Sequence, residues 1–77
     1  MKPQKEYQSL GEFLLEYRKN KAMTQAQFAE VIGTTRSRYT MIETGKIKVG
    51  VGTVASIAAA TRKSTAFINA LNEKNKQ

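Results

Sequence analysis

Residues 24–46 hold two short stretches with helical spacing, each opened by a capping residue and closed by a glycine. The first runs from about Gln25 to Ile32. Thr24 caps it, and Gln27 at the third helical position completes a capping box. Gly33 ends it, because the backbone there needs a left-handed conformation that glycine adopts without penalty. The second runs from about Arg36 to Thr44, with Thr35 as its cap and Gly45 as its stop. Only a tight turn fits between them. Phe28, Ala29 and Ile32 point inward from the first, Tyr39 and Ile42 from the second. A chain of 77 residues has a thin core, so every other helix must contribute to it.

Three further helices are legible. Ser9 and Glu12 predict a capping box for a helix over Leu10 to Asn20, with Leu10, Phe13, Leu14 and Tyr17 on its buried face. A fourth helix over Val51 to Ala60 would bury Val51, Val54, Ala55, Ile57 and Ala58. Residues 61–63 turn the chain. Ser64 then caps a fifth helix over Thr65 to Glu73, whose apolar positions are Phe67, Ile68 and Leu71. No stretch alternates with period two, so no sheet is expected. The reading is one all-α domain over residues 9–73, with a flexible arm at 1–8 and a frayed tail at 74–77.

Charge narrows the function. Thirteen Lys or Arg face six acids, all glutamate, for a net +7. Seven of the basic residues (Arg18, Lys19, Lys21, Arg36, Arg38, Lys46, Lys48) fall between 18 and 48 against Glu30 and Glu43, so that stretch carries 7 − 2 = +5. A basic stripe suits a polyanion, nucleic acid before an anionic membrane. The chain has no Cys, His or Asp. Disulfides, the usual metal ligands and the usual general bases are therefore missing, and neither an enzyme nor a cofactor is expected. Glu12 and Glu16 sit one turn apart, but nothing nearby would perturb them, and they read as a solvated face. No apolar run is long enough to span a bilayer and no signal-peptide core opens the chain, which makes the cytoplasm the default.

Taken together, residues 9–71 resemble the phage repressor/Cro family of helix-turn-helix proteins, the lambda-repressor-like fold. The resemblance rests on Thr24-Gln25-Ala26-Gln27-Phe28-Ala29-Glu30, on Gly33-Thr34-Thr35 and on Ile42-Glu43-Thr44-Gly45-Lys46, with Arg18 near the end of the first helix. The apolar spacing of Val54, Ile57 and Ala58, then Ser64 and Ile68, also fits. The chain departs from the pattern at Phe28, where Leu is usual, and at Tyr39, where a branched aliphatic is usual. Val49 stands in place of a frequent Pro, and Thr61 in place of a Leu.

The resemblance implies a compact five-helix domain whose third helix enters the DNA major groove. Base-reading residues would be Arg36, Ser37 and Met41, with Thr40 close by. Arg36 suits a guanine edge, Ser37 suits either base type, and Met41 suits a thymine methyl or packing on the second helix. Gln25, Thr35, Arg38, Lys46 and Lys48 would hold phosphates, and the two lysines otherwise form an ordinary solvated loop. Arg18 and Glu43 would form a buried ion pair or, failing that, a surface one. Phe67, Ile68 and Leu71 would supply a homodimer face or simply pack on helices one and four.

The function expected is a sequence-specific regulator of transcription, acting as a repressor on double-stranded DNA and binding a palindromic operator as a dimer. The alternative is an antitoxin that binds DNA and also neutralises a toxin protein as its partner.

Overall fold

The computed structural model describes residues 6–76. Five helices follow one another: α1 (Leu10–Asn20), α2 (Gln25–Val31), α3 (Arg36–Glu43), α4 (Val51–Thr61) and α5 (Thr65–Asn72). No strand occurs among the described residues, so the fold is all-α. The expected arm lies mostly in residues 1–5, outside the described residues.

The caps place the helices. Thr24 and Gln27 form the reciprocal box, with Thr24 Oγ1 accepting from Gln27 N and Gln27 Oε1 accepting from Thr24 N. Thr35 and Ser64 cap α3 and α5 by accepting from Arg38 N and Phe67 N. Gly33 and Gly45 take φ of +78° and +79°, in the left-handed region where glycine carries no Cβ penalty. Ser9 also caps α1, but Glu12 reaches past it to accept from Gln8 N, so the box expected there is not reciprocal.

α1 packs on α3 and α5, α2 on α3, and α4 on α5. Leu10, Leu14, Phe28, Tyr39, Ile42, Ile57 and Ile68 are fully buried at the centre. Aromatic rings run through it. Tyr7 meets Phe13 edge-on, Phe13 meets Tyr17, Tyr17 stacks on Phe28 with centroids 5.6 Å apart, and Phe28 meets Tyr39. Phe28 and Tyr39, the two aromatic departures from the family pattern, thus pack against each other.

α1 and α3 touch at backbone level. A Cβ on Gly11 would collide with the Glu43 carbonyl oxygen, so only glycine fits. Gly11 sits in helix, not in a turn, and its role is close approach.

Several expectations need correction. α2 and α3 each stop one residue early, with Ile32 and Thr44 as their C-caps, and α5 stops at Asn72. α4 runs one residue further, to Thr61, whose buried hydroxyl donates to Ile57 O at 2.8 Å. Val51 is 85% exposed and Ala55 is exposed, because both lie on the outer side of α4. Ile68 and Leu71 are buried inside the domain, which leaves Phe67, half-buried, as the outward part of the expected dimer face. The tail is not frayed at Asn75, which is 3% exposed and accepts from Gly11 N at 3.2 Å.

Gly11→Ala should force α1 and α3 apart. Overpacking of this kind costs about 1–3 kcal/mol, and urea unfolding should show at least that loss. An unchanged midpoint would mean that the two backbones separate freely.

Candidate nucleic-acid interface

The exposed face of α3 is held in place by one carboxylate. Glu43 accepts from Arg18 Nε at 2.8 Å and Arg18 Nη2 at 3.1 Å, a two-pronged pair between α1 and α3. It also accepts from Gln25 Nε2 at 2.9 Å, at the start of α2, and from Tyr39 Oη at 2.6 Å, one turn earlier on α3. Arg18 Nη1 completes its own bonding on Met23 O at 3.0 Å. The side chains of Arg18 and Glu43 are 13% and 5% exposed, so the carboxylate is buried and the guanidinium largely so. Such a pair adds little net stability against burying the same volume of apolar groups, but losing one partner strands a charge.

The ionisation states follow. Burial raises the Tyr39 phenol and its hydrogen bond to Glu43 raises it further, so Tyr39 stays a neutral donor. For Glu43, burial pushes upward, but the hydrogen bonds from Arg18, Tyr39 and Gln25 outweigh it. Its carboxyl therefore titrates below the ordinary 4.5.

At about 100° per residue along a helix, Tyr39, Ile42 and Glu43 define the inner side of α3. Ser37 and Met41 then face directly outward, and Arg36 and Arg38 stand on opposite edges. Arg36, Ser37, Arg38 and Met41 are all exposed, Met41 at 42%. Thr40 differs. It is half-buried at the α2–α3 seam, its hydroxyl donates to Arg36 O at 2.9 Å, and Gln25 Oε1 lies 3.5 Å away. Its hydroxyl is therefore turned back onto the protein.

The expected phosphate-facing residues are dispersed around this face. Thr35 is exposed, and its oxygen accepts from Arg38 N while its hydroxyl proton remains able to donate. Gln25 directs one amide hydrogen at Glu43, leaving its second for an outside acceptor. Lys46 and Lys48 are exposed on the loop after α3, and Lys48 Nζ lies 3.4 Å from Glu73 Oε1. A pair that open to solvent is weak and yields readily.

This geometry is two capped helices around a glycine turn, the second displaying Arg36, Ser37, Arg38 and Met41 on its exposed side. A family model for helix-turn-helix proteins matches residues 14–68, most of the chain. The chain belongs to the helix-turn-helix family, of the XRE (Cro-like) kind. No curated protein and no solved structure matches the chain significantly. As a member of this family it is a DNA-binding regulator. No helix among the described residues is long and apolar enough to cross a membrane.

Sequence reasoning paired Arg18 with Glu43 but missed that Gln25 and Tyr39 share the same carboxylate. The signal was present: Tyr39 and Glu43 are four apart on one helix, and Tyr carries a donor where an aliphatic side chain would not.

A carboxyl with a depressed folded pKa stabilises the fold above its unfolded value, and that stability is lost as pH falls through the folded one. Urea unfolding from pH 7 downward should therefore show stability falling away below about the ordinary carboxyl value of 4.5. Glu43→Gln, weaker at pH 7, should lose much less over the same interval. An equally steep acid limb in the variant would remove Glu43 as its cause.

Proposed function

We propose that the protein is a transcriptional repressor that binds a palindromic operator as a homodimer, with α3 in the major groove of each half-site. The observation that carries this reading is the outer face of α3. It is exposed, carries two arginines and a serine beside Met41, and is braced at its C-terminal end by a fully bonded buried carboxylate.

In this reading Arg36 takes a guanine edge through O6 and N7, Ser37 contacts either base type, and Met41 lies against a thymine methyl. Thr40 acts by fixing the seam with α2. Arg38, on the other edge of α3, holds a phosphate, as do Thr35, Gln25, Lys46 and Lys48. The net charge of +7 draws the protein to DNA whatever its sequence. Repression follows from occupying a promoter in the cytoplasm.

A dimer fits the size of the site, since one small domain reads few base pairs and two-fold symmetry doubles them. The pairing face on α5 is the half-buried Phe67 with Ala70 beside it. They line an open groove of about 250 Å³ with Glu6, Tyr7, Leu71 and Lys74.

The test is binding selection from a random duplex pool at about 150 mM salt, where non-specific phosphate binding is weak. The expected product is a palindrome with half-site centres about 10 bp apart. Arg36→Ala should then lose about 1–3 kcal/mol of discrimination at one base pair. Arg38→Ala should weaken all duplexes alike and lower the salt slope by about one. A pool with no enriched motif would sink the sequence-specific reading.

A further inference from the structure

Two asparagines are buried at the C-terminal end, and the DNA-reading face makes no use of them. Asn72 is 6% exposed and Asn75 is 3% exposed. Asn72 spends its whole amide on the loop that joins α3 to α4, and Asn75 divides its own between that loop, the end of α3 and Gly11 N of α1. Asn72 Oδ1 accepts from Val49 N and its Nδ2 donates to Val49 O, both at 2.9 Å. Asn75 Nδ2 donates to Ile47 O at 2.8 Å and to Ile42 O at 3.1 Å. Lys76 N donates to Gly45 O at 2.8 Å.

The bonds fall on Gly45, Ile47 and Val49, every second residue of the loop. The C-terminal segment therefore holds the loop much as a neighbouring strand would. Ile47 and Val49 turn inward, half-buried and buried. Lys46 and Lys48, the residues between, are exposed. Val49 also accounts for one departure from the family pattern, because a proline there would have no N–H for Asn72.

We propose that Asn72 and Asn75 are positioning residues for DNA binding, holding the loop over residues 45–50 so that Lys46 and Lys48 face the phosphate backbone before DNA arrives. The proposal rests on the DNA-binding reading above. Its physical content is pre-organisation: a loop already ordered in the free protein loses less conformational entropy on binding.

The experiment measures affinity for a mixed-sequence DNA duplex between about 50 and 200 mM salt, where the slope counts phosphate contacts. The proteins are the full chain, Asn75→Ala, Asn72→Ala and Lys46→Ala/Lys48→Ala, each corrected for its folded fraction by circular dichroism. The lysine variant should lower the slope by about two. The asparagine variants should lower it by nearly as much as the lysine variant, with roughly tenfold weaker binding, so that adding the lysine changes to Asn75→Ala has little further effect. Loss of fold alone would lower the active fraction and leave the slope unchanged. That result in the folded asparagine variants would overturn the proposal.

Hydrogen exchange on the unaltered protein supplies a test that no variant can spoil by unfolding. The Val49 and Lys76 amides should be protected before DNA is added, and protection that arises only on binding would overturn pre-organisation. Failure of the unaltered chain to bind any duplex would remove the DNA-binding reading itself. Normal binding with unaltered slopes would remove only the role of the asparagines.

Discussion

A carboxylate with almost no access to water must have its lone pairs occupied, and that requirement organises this domain. Glu43 satisfies it with donors from α1, α2 and α3 at once. Each donor constrains a helix in a different way. Arg18 fixes the separation of α1 and α3 with a planar fork, Gln25 fixes where α2 begins, and Tyr39 braces the carboxylate from its own helix. An apolar core tolerates small slides between helices. A buried charge does not, because a donor moved out of range leaves part of the charge bare. The pair is therefore best understood as setting geometry, with burial of the aromatic column supplying the cohesion.

Gly11 complements that constraint from the opposite direction. The carboxylate pulls α1 towards α3, and the missing side chain at Gly11 lets the two backbones meet. Attraction at Arg18 and vacancy at Gly11 lie seven residues apart on α1, two turns along the same face. Both contacts meet α3 at its C-terminal end, on the Glu43 carboxylate and on the Glu43 and Ile42 carbonyls, so that end is held to α1 by bonding and by close approach together.

Most of the architecture was legible in the sequence because its signals are local. Thr24, Thr35, Ser64, Gly33 and Gly45 mark helix ends through bonds and dihedral angles within a few residues, and all five do so in the structure. The family pattern added the Arg18–Glu43 pair. What escaped notice depends on distant neighbours. Asn72 and Asn75 look like any polar residues near a chain end, and only the loop they meet, more than twenty residues away, gives them a purpose. Val51 carries an apolar side chain at the first position of α4, where periodicity cannot tell the inner side from the outer. Thr40 sits close by the positions that the family pattern gives to base reading, yet its hydroxyl serves the helix backbone. Ile68 and Leu71 were apolar enough for either an interface or a core, and the packing of α5 on α4 and α1 assigns them to the core.

The bond between Gly11 N and Asn75 Oδ1 joins residues 64 apart in a chain of 77. Helices and their adjacent pairings can form from contacts close in sequence, at small cost in loop closure. A contact of that span has nothing to close upon until the intervening helices are assembled. It therefore exists only in the packed domain, where it closes a ring that takes in most of the chain. Through it α1 and the segment that follows α5 are tied to each other, so neither can leave the domain without exposing the buried polar group of the other.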